Sequence, residues 1–493
     1  MQVEVLSGLP GCGKSYVMRQ EAINNPGLYL FVYPTAALIK EQKAAFEADD
    51  TRGILSIAEA HSKAKGSGSV QDRLHRHQAY FSKQSINHAV VLLTHEGLMG
   101  ADLSRFTDWH VRIDEAPNTI QSGVVRAPAS ADLLKTLIEI EPFGPHGWGR
   151  LKLASEKIGW SALANDALLK PLAELMKQAS RSDGVFVDTC EWKESFGWCS
   201  FWRLGSLGHC RSVKIAGASY PVSLGAIFAE RWEGIDFVLN PAVRPREAQP
   251  AVHVHYFTQS HEGNTKLWEE WYGSKFIVQI CDFLTKNEPE LGFWAANDVV
   301  EKLLRHRLNG KPIPPKAAGL NVYDNATSCA FIYSSKPLSS DKPARELFSL
   351  TDKEIYRARE EEDILQFVMR GAIRRPDFGD DYDIYLYSKR QAELVQQKLI
   401  ESGICKSVDL VPEPGAGIMD ADPRPMKTVR DALKKKKSEE NAKKRGDADA
   451  ERKRNARAIE AQLANRPPSA NAGRGGRPAG SKDKKPRAPR SKK

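Results

Sequence analysis

The chain has 493 residues, 41% of them hydrophobic, enough for two or three domains with substantial cores. Its formal charge of +10 is unevenly placed: residues 427–493 carry 23 Lys and Arg against 8 Asp and Glu, leaving the rest of the chain at −5. Seven scattered cysteines argue against a disulfide framework and for a reducing compartment, and no stretch approaches eighteen uncharged apolar residues, so no membrane span and a cytoplasmic location are expected.

From residue 2 to about 115, the short apolar runs "VEVLS", "LYLFVY", "GILSIA", "AVVLLT" and "WHVRID" alternate with helix-compatible stretches. That rhythm predicts a buried parallel sheet in an α/β domain. Directly behind the first run stands "GLPGCGKS", residues 8–15, which fits the phosphate-loop pattern GxxxxGK[ST]. Gly8, Leu9, Pro10, Gly11, Cys12 and Gly13 are the expected cradle, whose backbone amides face phosphate oxygens at the positive end of the next helix. Lys14 is expected at the β/γ-phosphates and Ser15 at Mg²⁺.

The run "VRIDEAPN" at 111–118 delivers an acidic pair to a strand end, where parallel sheets place ligand chemistry. Asp114 is expected to hold Mg²⁺, and Glu115 to orient and deprotonate an attacking water. A helix N-cap with acidic first-turn residues is the alternative for this pair.

Residues 118–210 break the rhythm with helical "ADLLKTLIEIE" and "ALLKPLAELMKQ" and a Trp-rich stretch, and are expected to form a helical insertion. Cys190, Cys199 and Cys210, with His209 beside the last, lack the close pair of a zinc site. After "SVKIAGAS" at 212–219, "NPAVRPREAQP" at 240–250 predicts a linker, and the alternation resumes with "AVHVHYF", "LGFWAA", "AFIYSS" and "YDIYLYS". The expected organisation is a first domain over 1–240, a second over 251–411, and a linker with a basic, disordered tail over 412–493.

In the second domain, "LQFVMRGAIRRPDF" at 365–378 spaces Gln366, Arg370 and Arg374 at i, i+4 and i+8, which predicts one helix face. Two arginines with a glutamine suit the reading of a γ-phosphate across domains. In the tail, "GRGGRP" at 473–478 approximates a minor-groove hook through Arg474 and Arg477, within a basic run suited to tethering on a phosphate backbone.

Together with "YPTAALIKEQ" at 33–42 and "LLTHEGL" at 92–98, these motifs resemble superfamily 2 helicases and translocases over about residues 1–390. The resemblance implies two tandem RecA-like parallel-sheet domains with ATP and Mg²⁺ between them, a helical insertion in the first, and a disordered basic tail. It implies nucleic-acid contacts at Thr35 and Thr94, although both threonines equally suit helix capping. Ser219 in "IAGAS" would couple hydrolysis to movement, as would Gly319 and Asp324 in "GLNVYDNA", with Asn321 on nucleic acid. The family places two residues between its last two arginines, so Arg374 and Arg375 compete for the second role. The family's adenine-reading glutamine element would lie upstream of the loop and has no room here, which argues against the DEAD-box RNA branch, and DNA is expected as partner over RNA. The layout resembles phage- or virus-encoded replication helicases, which would act in a host cytoplasm. A replication-protein partner would then meet the insertion or the tail. The alternatives are a phage DNA-packaging ATPase, for which Asp383 offers at best one nuclease-metal ligand, and a morphogenesis ATPase, which would need a membrane anchor.

Overall fold

The expected apolar runs of the first lobe fold as β1 (Gln2–Ser7), β2 (Leu28–Tyr33), β3 (Ser56–Ala60), β4 (Ala89–Thr94) and β5 (Trp109–Asp114). The structure, a computed structural model, describes residues 1–64, 68–126, 138–143, 147–154, 170–181, 184–188, 195–218, 220–242, 245–316, 323–337, 341–423 and 450. The chain divides into Met1–Pro423 and Arg424–Lys493, and the described elements belong to the first.

After an excursion comprising β6 (Ile120–Arg126), β7 (Ile138–Pro142), β8 (Trp148–Leu153), β9 (Gly184–Asp188) and β10 (Ser195–Phe201), the chain returns as β11 (Ser212–Ala216) and β12 (Asp236–Pro241). The first sheet is parallel throughout, in the order β12-β1-β11-β5-β2-β4-β3. Strands β2 and β4 are buried along nearly their whole length, as strands covered on both faces must be. Val3, Val5, Leu30, Val32, Val91 and Ile113 form one core. The alternate positions Leu6, Phe31, Tyr33, Val90 and Leu92 meet Met18 and Ile23 of helix Lys14–Asn24 on the other. Leu6 lies opposite Ala216, and Ala216 opposite Asp114, so β1, β11 and β5 end in line. That alignment puts the phosphate loop and the acidic pair on one sheet edge.

The expected helical insertion is built instead on a five-stranded antiparallel sheet, β6-β10-β9-β8-β7, with helix Lys170–Arg181 packed against it. The stretch "IEIE" within the anticipated helix is strand β7, with Ile138 buried in the core and Ile140 packed against it, alternating with exposed glutamates. A period of two won over the helical reading because its partner strand β8 is supplied only by the fold. Residues 131–137, the rest of that anticipated helix, lie outside the described residues. Cys199 is buried in β10, Cys190 lies outside the described residues, and the His209 ring meets the Leu103 carbonyl. Among the described residues no group of three or more His, Cys, Asp and Glu could hold a metal ion.

The second sheet is also parallel, with β13 (Ala251–Thr258), β14 (Phe293–Ala296), β15 (Lys311–Pro312), β16 (Ser328–Ile332), β17 (Asp381–Ser388) and β18 (Ser407–Pro412) in the order β15-β14-β16-β17-β13-β18. Along β17, Tyr382, Ile384 and Leu386 enter one core and Tyr385 and Tyr387 the other. Phe293 and Trp294 are core residues. Asp383 is committed to His255 at 2.9 Å within this sheet. No described helix is long and apolar enough to cross a membrane.

The insertion also bridges the lobes. Helix Lys342–Phe348 of the second lobe lays Ala344, Leu347 and Phe348 on Phe186 and Cys199 of the insertion and on Ile227 and Phe228 of the first lobe. Lys342 Nζ reaches the Asp188 carboxylate at 2.9 Å. Phe348 stands edge-on to Phe201 and Phe228, with centroids 5.5 and 5.2 Å away. Phe348→Ala should therefore cost about 3–5 kcal/mol, read as a lowered midpoint in urea unfolding.

Candidate active site

The phosphate loop takes its shape from its glycines. Gly13, at φ 87°, caps helix Lys14–Asn24 without a side chain, which leaves the first helical amides for a ligand. Gly11, at φ 88°, lies under the Arg374 side chain, where any Cβ would collide with it. Lys14 Nζ donates to the carbonyls of Gly8 and Leu9 at 2.7 and 2.9 Å. Its charge is thus held inside the loop, where phosphate oxygens would compete with neutral carbonyls.

Ser15 Oγ donates to the Asp114 carboxylate, 2.8 and 2.9 Å from its two oxygens. Burial pushes the Asp114 carboxyl up, against the Ser15 hydroxyl and the charges of Lys14, Arg19 and Arg374. A hydroxyl and one carboxylate form a hard-oxygen set that suits Mg²⁺ completed by water and phosphate oxygens. These residues fit that ion.

Glu115 follows at φ 62°, a left-handed conformation that costs a non-glycine residue about 1–3 kcal/mol. Burial pushes its carboxyl up to about 7, helped by the neighbouring charges of Asp114 and Glu362 and opposed by Arg370 and Lys14. His95, beyond β4, faces the Asp114 carbonyl through Nε2 at 2.9 Å. Burial lowers the ring to about 4, so it is neutral, and a carbonyl can only accept, so Nε2 carries the proton. The strand end is pinned from behind.

The second lobe completes a cleft of about 450 Å³, to which it brings Asp324, Gln366, Arg370 and Arg374 opposite Lys14, Asp114 and Glu115. The three residues expected on one helix face do meet here, but by a different geometry. Helix Glu362–Val368 ends before the arginines, and Ala372–Arg374 forms a separate 3₁₀ turn. Gly371 makes the break: a Cβ there would strike the Tyr382 hydroxyl and the Ala326 carbonyl, and the next amide donates to that carbonyl at 2.8 Å. Gln366 stays on the helix and donates to Glu362 at 3.0 Å.

Arg370 is only 5% exposed, and its Nε has no hydrogen-bond partner among the described residues. Burial holds its guanidinium below the usual range, with the Glu115 charge opposing. A buried cation left in this state marks a place for an anion. Arg374 lies over Gly11, whereas Arg375 is held by Asp377 at 2.7 Å and by Asn325 at 2.8 Å.

Thr35, two residues past β2, and Thr94, the last residue of β4, stand on the same edge, and each caps the following helix, accepting from Leu38 N at 3.2 Å and Gly97 N at 3.1 Å. Ala216, Gly217 and Ala218 line the cleft, while the adjoining Ser219 lies outside the described residues, as do Gly319, Asn321, Arg474 and Arg477.

Neither a protein-family profile nor a curated protein matches the chain. Solved structures that it resembles include helicases. An XPD helicase aligns over 83% of this chain and 96% of its own, at 11% identity and a TM-score of 0.47. Xpd4 of S. tokodaii aligns over 83% and 95%, at 10% and 0.42. Dbp5 of S. cerevisiae, bound to RNA and ADP BeF3, aligns over 88% of both chains, at 8% and 0.35. At these identities and scores the likenesses carry no weight for activity.

His95 and Glu362 join the site without having been singled out in the sequence. His95 follows directly on Thr94, and Glu362 stands one helical turn before Gln366, a spacing that puts the two side chains together.

Proposed function

We propose that the chain is an ATP-dependent nucleic-acid motor of the superfamily 2 helicase type, hydrolysing ATP between its two parallel-sheet lobes. The observation that supports this most is the cleft itself: a phosphate-loop lysine and an Asp-Glu pair from one lobe face a buried arginine from the other whose Nε has no hydrogen-bond partner among the described residues. A simple phosphate binder has no use for a base and a cross-lobe cation on one phosphate.

In this reading Lys14 and the loop amides hold the β- and γ-phosphates, and Ser15 and Asp114 hold Mg²⁺. Held by Ser15 and Asp114, Mg²⁺ would supply positive charge against that developing on the phosphates. Glu115 takes the proton of the attacking water, and Arg370 and Arg374 stabilise the outgoing charge, with Gln366 held beside them by Glu362. His95 keeps the Asp114–Glu115 backbone in place. Because both lobes touch the same phosphates, hydrolysis changes what joins them, and that change would move a strand lying along the edge marked by Thr35 and Thr94. Asn321 and the arginines of the tail are further contacts in this scheme, and Ser219, Gly319 and Asp324 would couple the nucleotide to the strand. The preference for DNA, and a role in replication or recombination, rest on the sequence resemblance alone.

The test is ATP-driven displacement of streptavidin from a biotinylated DNA strand, and from the same RNA strand, by the full chain and by a form ending at residue 426. Displacement from DNA by both forms is expected, with the shorter form binding more weakly and with a flatter salt dependence. If ATP drives displacement from neither strand, the motor reading fails.

A further inference from the structure

A second cavity, of about 210 Å³, lies across the phosphate loop from the acidic pair. Its walls are Leu9 and Pro10 of the loop, Ala242 just past β12, Met369 and Pro376 of the arginine turn, and Ile404 beyond the last helix of the second lobe. Pro10, Gly11, Met369, Arg374 and Pro376 border both this cavity and the cleft, so the two adjoin along the loop where Arg374 crosses Gly11.

Their linings differ in kind. The cleft presents Lys14, Ser15, Asp114, Glu115 and Arg370. The second cavity is mostly apolar, and apart from Ser7 its polar side chains are already engaged. Arg246 donates to the carbonyls of Ala248, Ile373 and Arg375 at 3.1, 3.0 and 2.6 Å. Glu401 accepts from Gln397 and Lys398, both at 2.7 Å, and Ser402 donates to the Leu399 carbonyl at 2.7 Å. A nucleoside triphosphate is divided in the same way, with a polyanion at one end and a flat ring with apolar faces at the other. A dry apolar cavity of roughly 150 Å³ accepts a benzene ring, so this one has room for a planar base.

Resting on the nucleotide reading above, we propose that this slot receives the nucleobase, gripping it between the loop and linker of the first lobe and Met369, Pro376 and Ile404 of the second. It reads the base by shape. Sites that hydrogen-bond a substrate group reject analogues lacking it by about 10⁴-fold or more, whereas apolar pockets discriminate weakly. With nearly all of its polar side chains committed, the slot takes adenine and guanine alike. Because both walls come from different lobes, the base as well as the phosphates joins them.

Equilibrium binding in Mg²⁺ of ATP, GTP and inorganic tripolyphosphate tests this on the full chain and on Ile404→Trp, which fills the slot from the second lobe. Ala242→Leu, on the opposite wall, serves if Ile404→Trp unfolds. Wild-type affinities for ATP and GTP within about tenfold of each other are expected. Filling the slot should weaken both nucleotides at least tenfold and leave tripolyphosphate unchanged. Unchanged ATP affinity in the filled variants, or ATP bound more than a hundredfold tighter than GTP, overturns the slot while leaving the phosphate site standing. Wild-type protein that binds neither ATP nor tripolyphosphate overturns the nucleotide reading and the slot with it.

Discussion

Arg370→Ala should bind ATP with nearly wild-type affinity and hydrolyse it about 10³–10⁵-fold more slowly, the range associated with losing an arginine that stabilises phosphoryl-transfer charge. The expectation follows from where the side chain stands. Arg370 is buried, opposes Glu115 across the lobe boundary, and has at Nε no partner among the described residues that would give it a purely structural purpose. Binding is spared because Lys14, Ser15 and the loop amides belong to the other lobe. Stability should hold or rise, since deleting a buried charge whose Nε lacks a partner among the described residues removes a desolvation penalty. A thermal midpoint measured beside the turnover separates this from a folding defect. Arg374→Ala should also slow turnover, while Arg375→Ala should change it little, its guanidinium being held by Asp377 and Asn325. Retained turnover in Arg370→Ala would move the charge-stabilising role elsewhere.

Glu115→Gln is expected to lower turnover about 10²–10⁴-fold with nucleotide affinity intact, the usual contribution of a positioned base. Its pH dependence gives a second readout. Burial and the charges of Asp114 and Glu362 raise the carboxyl to about 7, and only its ionised form can accept a proton. Wild-type kcat/KM should therefore climb about tenfold per pH unit below 7 and level off above it. Glu362→Gln removes one of the charges that raise the carboxyl, so the bend in the profile should move to lower pH. A wild-type profile flat from pH 5.5 to 8 would remove Glu115 from the role of base.

Much of this site could be read along the chain because its parts are local in sequence. The loop needs glycines and a lysine at fixed spacing, and the acidic pair needs only a strand to carry it, so residues 8–15 and 111–118 were readable before any fold. The arginines are placed differently from their spacing: a period of four predicts one continuous helix, but Gly371, pressed on Tyr382 and Ala326, ends it and turns Arg374 onto Gly11. Helical period failed outright at Ile138–Pro142, where alternation was short and the partner strand distant in sequence. The bridge through Phe348 and the slot beside Ala242 and Ile404 join segments one to two hundred residues apart, and no local pattern announces such a meeting. At Thr35 and Thr94 the capping geometry that a strand-to-helix turn requires is present, whatever else the threonines touch.

Hydrolysis at the lobe boundary is what every role proposed for these residues requires. Phosphate release from ATP by the purified full chain, followed with and without Mg²⁺ and with and without single-stranded DNA, measures it directly. Turnover that requires Mg²⁺ and rises when the strand is added is the predicted result. No phosphate release under any of the four conditions, from protein shown to be folded, would contradict it.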